Sequence, residues 1–185
     1  MSENSQKPKV ATCWLAGCAG CHMSFLDIDE RILELAELVE FTASPITDIK
    51  KPPEVDIAII EGAVANEENK EVLEYFREKA KFLIALGDCA VFGNIPAMRN
   101  NHDLQEIFEE VYVNNDYVEN GVIPNGPDLP RLLPKVLPVP QVVKVDFNVP
   151  GCPPDADAIW FLLTELLKGN VPKPEDIPYE LFKYD

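Results

Sequence analysis

Hydrophobic positions along the chain follow two spacings, one typical of buried strands and the other of amphipathic helices. Short apolar runs predict strands at four places, and a weaker run predicts a fifth strand at Val39 to Ala43. The four stronger runs are Lys9 to Leu15, Val55 to Ile60, Lys81 to Leu86 and Val142 to Val149. In the segments between these runs, the apolar residues have helical spacing. Strands that alternate with helices favour a parallel sheet covered on both faces by right-handed crossovers.

Capping residues mark the predicted ends of the helices. Ser24, with an acid three residues on, has the pattern of a capping box and predicts that the first helix begins there. Asn66 is the predicted cap of the second helix. Asp155 is the predicted cap of the last helix, which Gly169 is expected to end in a left-handed conformation. A further helix is predicted over His102 to Val113 from its apolar stripe.

Two segments lack either pattern. The first, Asn114 to Pro140, contains six prolines, which lack the N–H donor that regular structure needs. Long loops in compact domains are often functional or bound to a partner. The second, Asn170 to Asp185, is predicted to be a surface strap. We therefore expect residues 1–185 to form one domain with a proline-rich loop at 114–140 and a C-terminal tail at 170–185.

Composition and charge exclude several classes of function. The formal net charge is −16, and the sequence contains no cluster of Lys and Arg. Because binding to a phosphate backbone depends on concentrated positive charge, nucleic acid is excluded as a partner. The longest apolar stretches fall far short of the roughly 20 residues that span a membrane, and Met1 to Val10 lacks the pattern of a signal peptide. We expect a soluble, cytoplasmic protein with no membrane span.

The five cysteines are the most informative residues. An odd number of cysteines in a reducing compartment disfavours a disulfide framework. Once the strands are assigned, four of the five cysteines follow a strand at the carboxyl edge of the sheet, where ligands bind in open parallel sheets. Cys18 and Cys21 follow the first strand, Cys89 a middle strand and Cys152 the last. Cys13 lies within the first strand, where a free cysteine behaves as a small buried hydrophobe.

Four thiols that converge on one edge suit an iron–sulfur cluster, which is commonly held by four cysteine thiolates. Glycines adjoin three of these cysteines and would let backbone amides approach the sulfurs. Zinc is an alternative, although four-cysteine zinc sites usually combine two short cysteine pairs in small modules. A CxxC pair alone also occurs as a thioredoxin-like dithiol. His22 and Met23 adjoin the pair, and we assign neither a ligand role.

Four blocks of sequence, in order, resemble one family of proteins. The blocks are Trp14 to Asp27, Glu61 to Asn69, Gly87 to Ala90 and Pro150 to Pro154. They closely resemble the small subunit of bidirectional, NAD-reducing [NiFe] hydrogenases, and the likeness covers nearly the whole chain. The resemblance implies an α/β, flavodoxin-like open parallel sheet with helices on both faces and one proximal [4Fe-4S] cluster at the carboxyl edge. The implied ligands are Cys18, Cys21, Cys89 and Cys152.

The same resemblance implies an electron relay within a larger enzyme. A separate large subunit would contain the Ni–Fe centre that splits hydrogen, and a diaphorase module would contain flavin, further iron–sulfur clusters and the NAD site. Electrons would pass through the cluster of this chain in the overall reaction H2 + NAD+ = H+ + NADH. An NADP-linked or deazaflavin-linked hydrogenase is one alternative, because the acceptor site would lie in another polypeptide. A four-cysteine zinc scaffold protein is another.

Departures from related families narrow these expectations. Many membrane-bound and periplasmic hydrogenase small subunits have a second, cluster-rich domain and an export leader, so a one-cluster cytoplasmic version fits this sequence better. Those relatives also have a glutamate where this chain has Gly17, which puts a proton route through that position in doubt. The related subunit of complex I has two adjacent cysteines, unlike Cys18 and Cys21, which disfavours quinone chemistry. Since these two cysteines occupy the loop where a flavodoxin binds phosphate, FMN in this chain is disfavoured as well.

Overall fold

A computed structural model describes residues 7–173 and 176–178 of the chain. Its central feature is a five-stranded sheet in which all neighbouring strands run parallel. A second, two-stranded sheet is antiparallel. The strands of these ranges, in chain order, are β1 (Lys9–Trp14), β2 (Glu40–Ala43), β3 (Val55–Glu61), β4 (Val64–Asn66), β5 (Ala80–Leu86), β6 (Leu132–Leu137) and β7 (Phe147–Val149).

The order of strands in the main sheet is β2-β1-β3-β5-β7. From β1 the chain passes to β2 on one side and then returns to β3 on the other side. Ile57 of β3 lies opposite Val10 of β1 and Phe82 of β5 in the parallel register. The reversal of direction between β1 and β3 opens a crevice at the carboxyl ends of these strands, where open α/β sheets bind ligands. The predicted α/β class with an open parallel sheet is confirmed.

Helices cover both faces of the main sheet. In chain order they are α1 (Gly20–Leu26), α2 (Arg31–Leu38), α3 (Glu67–Lys79), α4 (Asp88–Phe92), α5 (Asn94–Ala97), α6 (Leu104–Tyr112) and α7 (Ala156–Leu167). On one face, apolar residues of α1, α2 and α7 share a core with strand residues such as Ile59 and Ile84. On the other face, Leu73 and Phe76 of α3 share a core with Ile60. Strands buried on both faces give nearly continuous apolar runs, which is why the sequence predicts them correctly.

The helix signals that depend on local chemistry agree with the structure. The side chain of Asn66 accepts a hydrogen bond from the N–H of Asn69 at 2.7 Å at the start of α3. The side chain of Asp155 accepts one from the N–H of Asp157 at 2.8 Å at the start of α7. Gly169 follows the end of α7 with φ +84. Each of these signals acts within one helical turn of its own position.

The predicted start of the first helix is wrong. α1 begins at Gly20, so Ser24 lies inside this helix, and α2 begins separately at Arg31. The hydroxyl of Ser24 donates a hydrogen bond to the carbonyl oxygen of Pro154, which is 130 positions away in sequence. Because that hydroxyl is engaged by the loop after β7, it does not cap a helix. Ser24 therefore makes a tertiary contact and not the local helix cap that the pattern predicts.

The proline-rich segment and the last strand also differ from prediction. β6 lies inside the segment expected to lack regular structure and pairs with β4. A strand that is paired on one side only tolerates Pro134, because a missing N–H costs no ladder hydrogen bond there. β7 is limited to three residues, and a short 3₁₀ helix at Val139–Gln141 precedes it instead of a strand from Val142. The helix predicted over His102 to Val113 corresponds to α6.

Only part of the predicted C-terminal strap lies within the described residues. Ile177 is buried there and belongs to the core layer that includes α7. Residues 174–175 and 179–185 of this prediction lie outside the described ranges. Within those ranges, no helix has the length and apolar character needed to cross a membrane.

Candidate metal centre

Four of the five cysteines lie together at the carboxyl edge of the main sheet. They line one cavity of about 80 Å³ together with several glycines and the side chain of Glu61. Cys18 and Cys21 come from the connection after β1, Cys89 from α4 after β5, and Cys152 from the loop after β7. The structure therefore brings together the four residues that the sequence singled out from positions far apart in the chain.

Cys13 lies elsewhere. It occupies β1 opposite Ile60 of β3 and packs against the core layer on the α3 side of the sheet. Burial and, to a smaller extent, the carboxylate of Glu61 raise the pKa of the Cys13 thiol to about 12. Cys13 is also not among the residues that line the cavity.

A tight turn into α1 positions the first pair of cysteines. Ala19 adopts a left-handed conformation, with φ 64 and ψ 10, immediately before the helix begins. Left-handed backbone is unusual for a residue other than glycine, asparagine or aspartate. The turn brings Cys18 and Cys21 to the same cavity, where Cys18 is exposed and Cys21 is buried.

The loop after β5 approaches the Cys21 thiol closely at Gly87. Gly87 has φ +85, in the region that favours glycine because no Cβ is present to clash. A Cβ on Gly87 would lie 2.2 Å from the Sγ atom of Cys21. That separation is far below van der Waals contact, which is about 3.5–4.0 Å between heavy atoms. Gly87 is therefore required both by its backbone conformation and by the space that the thiol occupies.

Hydrogen bonds join the loops after β5 and β7. The N–H of Gly87 donates to the carbonyl oxygen of Val149 at 2.7 Å, and the N–H of Asp88 donates to that of Gly151 at 2.9 Å. The carboxylate of Asp88 accepts a further bond from the N–H of Gly151 at 2.7 Å. Cys89 directly follows Asp88, and Cys152 directly follows Gly151. The bonds therefore fix the two loops, and hence their thiols, relative to each other.

A buried carboxylate lies at the same edge and was missed from the sequence. Glu61, at the end of β3, is 2% exposed. Its Oε2 atom accepts hydrogen bonds from the backbone N–H and the ring Nδ1 of His22, both at 2.6 Å. The other ring nitrogen of His22 is buried without a hydrogen-bond partner among the described residues. The signal that could have revealed Glu61 is a charged residue at the end of the apolar run Ile57 to Ile60, because glutamate is almost never fully buried unless it is paired.

Burial raises the pKa of two of the four cavity thiols. Burial, followed by the charges of Glu61 and the other three cavity cysteines, raises the pKa of Cys21 to about 12. Burial and the proximity of Cys152 also raise the pKa of Cys89. Metal binding must therefore release protons, and a cationic metal supplies the charge that four thiolates need. The side-chain amide of Asn94 lies 3.6 Å from the Sγ of Cys152 as a donor, and such hydrogen bonds to sulfur tune cluster potentials.

The donor set fits an iron–sulfur cluster. Four thiols and no histidine ligand match the usual Cys₄ coordination of such clusters, and Gly87 keeps the space beside Cys21 open. A single zinc ion would require four sulfurs at about 2.3 Å from one point. Among residues 7–173 and 176–178, no three or more His, Cys, Asp or Glu side chains are arranged around a single ion in this way.

Comparisons with known proteins identify the family of the chain. Residues 18–166 match the model of the family described as NADH ubiquinone oxidoreductase, 20 Kd subunit. The chain is 49% identical over 183 residues to the NAD-reducing hydrogenase HoxS subunit delta of Cupriavidus necator, a match that covers 97% of this chain and 86% of that protein. It is 45% identical over 171 residues to a subunit of the F420-non-reducing hydrogenase of Methanothermobacter marburgensis, covering 90% of this chain but only 55% of that protein.

Solved structures give the same result. A chain in the crystal structure of an NAD+-reducing [NiFe]-hydrogenase in the H2-reduced state matches with a TM-score of 0.93 and 48% identity, covering 97% of this chain and 100% of that one. A chain of the Dm. baculatum [NiFeSe]-hydrogenase shares the fold at a TM-score of 0.57 and 19% identity, covering 94% of this chain and 66% of that one.

The chain belongs to the NADH ubiquinone oxidoreductase, 20 Kd subunit family. Within this family it is the small subunit of an NAD-reducing or related [NiFe] hydrogenase. The resemblance noted in the sequence, the hydrogenase class and the fold that it implied are confirmed.

Proposed function

We propose that the chain binds one [4Fe-4S] cluster and relays electrons from the Ni–Fe centre of a large subunit to a diaphorase module. The observation that supports this most strongly is the convergence of four thiols, from three separate loops, on one cavity. We also propose that the chain forms a single domain, because strands between Lys9 and Val149 share one sheet and α7 packs on it. The proposed ligands are Cys18, Cys21, Cys89 and Cys152.

The residues around the cavity hold the proposed ligands in place. When bound, the cluster would supply one-electron transfer. Glu61 holds the loop of the first two cysteines through two hydrogen bonds to His22. Asp88 ties the loops of the other two cysteines together through the N–H of Gly151. Rigid ligands of this kind keep the coordination geometry constant between redox states, which favours fast electron transfer.

We propose that the large subunit covers the cysteine edge. The segment Trp14 to Phe25 contains no Asp, Glu, Lys or Arg, although the chain has a net charge of −16. Trp14 is 44% exposed and Met23 is 58% exposed at this edge. Apolar groups with few charges are typical of the centre of an obligate interface. A partner there would bring its own metal centre near the cluster and would exclude water, which also tunes the potential.

The proposed overall reaction is H2 + NAD+ = H+ + NADH, with hydrogen split in the large subunit and NAD reduced in the diaphorase. NAD is favoured as the acceptor because the Cupriavidus relative and the structure with a TM-score of 0.93 are both described as NAD-reducing. We propose no flavin in this chain. The five cysteines are all free, which suits a reducing cytoplasm.

Serine substitution of each cysteine, one at a time, tests the ligand assignment. The four cavity variants are expected to lose most of their iron and the broad brown absorption, because a serine hydroxyl replaces a thiolate ligand. Cys13→Ser is the matched control, since this cysteine lies in the adjoining strand, and it is expected to retain both. Full iron in any of the four variants, or loss of iron in the control, would contradict the assignment. Zinc in place of iron in the native protein would favour the scaffold alternative.

A further inference from the structure

Residues 102–131, which we name the arm, contain α6 and the irregular chain that leads to β6. All of the arm is described in the structure, and none of its residues is buried. Even α6, which has apolar residues at helical spacing, buries no side chain against the sheet. An amphipathic helix normally gains its stability by burying its apolar face. Contacts within this chain therefore do not explain the apolar residues of the arm.

The arm nevertheless has a defined conformation. The side chain of Asp103 accepts hydrogen bonds from two backbone N–H groups at the start of α6, at 2.8 and 3.1 Å. The N–H of Asn114 donates to the carbonyl oxygen of Glu109 at 2.7 Å at the other end of the helix. A Cβ on Gly121 would lie 2.1 Å from the carbonyl oxygen of Tyr112, so the chain folds back closely on the end of the helix. The arm is therefore a structured surface, although none of its residues is buried.

Large apolar side chains concentrate on this surface. Tyr117 is 96% exposed, Val122 is 77% exposed and Leu129 is 51% exposed. Four further side chains are at least 39% exposed, namely Val111, Tyr112, Val113 and Val118. Exposed apolar side chains concentrated in one segment are typical of an interaction site.

The charges around these side chains are mostly negative. The arm contains seven acidic residues and a single Lys or Arg, Arg131 at its C-terminal end. Three further acids, Glu67, Glu68 and Glu71 at the start of α3, line the groove of about 1070 Å³ between α3 and the arm. A complementary partner would present an apolar centre surrounded by Lys and Arg. A second copy of the chain is disfavoured as the partner, because two acidic arms would repel each other.

Exposed apolar residues also lie in the chain between the cysteine edge and the arm. Phe92 is 66% exposed, Ile95 is 63% exposed and Met98 is 61% exposed. These residues lie in the segment that runs from α4, which includes Cys89, to the start of the arm. Exposed apolar side chains therefore accompany the chain from the candidate cluster ligands to the arm.

We propose that the arm is a docking surface for the same partner subunit that covers the cysteine edge, and that the partner meets it with an apolar centre and a basic rim. The inference rests on the proposed function, since that function supplies the partner at the edge. Docking there would extend the interface beyond the small area around the cluster. It would also bury the apolar face of α6, which has no cover within the described part of this chain.

The test uses the co-expressed complex, purified through a tag on this chain. The double variant Tyr117→Ser/Val122→Ser removes the two most exposed apolar side chains of the arm. It is expected to weaken association with the partner about tenfold or more, because exposed aromatic anchors dominate interface energies. The double variant Ile46→Ser/Val171→Ser is the matched control, since these residues lie outside the arm and the edge and are 84% and 60% exposed. The control is expected to change affinity by less than about threefold.

Two further measurements keep the test decisive. Hydrogen exchange across 104–131 should slow on complex formation, and Glu110→Lys/Glu119→Lys should weaken association in a salt-dependent manner.

Normal affinity of the arm variant, with an unchanged thermal unfolding curve, would overturn the inference. So would a dimer of the isolated chain that the same substitutions abolish. If Met23→Ser at the cysteine edge weakens association while the arm variants do not, the inference about the arm fails and the proposed function stands. Absence of iron and of any metal-containing partner would instead contradict the proposed function.

Discussion

Substitution of Gly87 by alanine should remove the cluster by a steric route that leaves every cysteine in place. The added Cβ would lie 2.2 Å from the Sγ of Cys21 and 3.5 Å from the carbonyl oxygen of Gly151. Relief of the first contact requires a shift of more than about 1 Å to reach ordinary van der Waals separation. Cys21 lies in the buried face of α1, so its thiol has little room for such a shift except by turning out of the cavity.

The expected effect of Gly87→Ala has two parts, a backbone cost and a collision with sulfur. Substitution of a second glycine, Gly169, separates them. Gly87 has φ +85 and ψ 161, a conformation that is essentially restricted to glycine, so alanine there has a backbone cost of about 1–3 kcal/mol. Gly169 also has a positive φ, +84, but a Cβ added there would meet no heavy atom within 4 Å. Gly169→Ala should therefore lose free energy of unfolding through its backbone alone and retain its iron. Gly87→Ala should lose free energy of unfolding and also most of the iron, of which a [4Fe-4S] cluster contributes about four atoms per chain.

The assay is iron content and visible absorption of both variants, purified without oxygen, together with urea unfolding of the metal-free chains. Full iron in Gly87→Ala would refute the placement of the Cys21 thiol among the ligands. Equal loss of iron in the two variants would show that backbone strain, rather than the collision with sulfur, disturbs the site. Either result would reject the steric role of Gly87 in the cavity.

Three other outcomes are expected. Glu61→Gln should lower the free energy of unfolding by about 1.5–3 kcal/mol, because the hydrogen bonds from partly buried His22 lose their carboxylate acceptor. A change below about 0.5 kcal/mol in urea titrations would contradict the role of Glu61. Burial alone would raise the pKa of Asp146, but hydrogen bonds from Arg77 and the N–H of Leu83 outweigh it and lower the pKa. The stabilisation is thus present above the unfolded pKa of about 3.9 and is lost as pH falls below it, so Asp146→Asn should flatten the acid limb of the stability curve. The cluster-loaded chain without partners should not reduce dyes with hydrogen, and activity in such a preparation would contradict the division of labour between subunits.

Much of the fold could be predicted because its signals are local. A central parallel strand is buried on both faces and so gives an apolar run that needs no knowledge of its neighbours. Helix caps at Asn66 and Asp155 act within three residues of their own positions. Two of the errors came from positions where a distant partner decides. Ser24 bonds to Pro154 across 130 positions, and β6 exists because β4 pairs with it despite Pro134.

The sequence by itself determined which loops bear the cysteines, because parallel strands bring every following loop to one edge of the sheet. Only the tertiary structure decided how those loops meet. The approach of Gly87 to the Cys21 thiol and the bond between Glu61 and His22 join residues on different strands, with no sequence spacing that specifies them. Such contacts depend on strand order and register, which follow from the packing of the whole core, whereas apolar periodicity depends only on the faces of a single element.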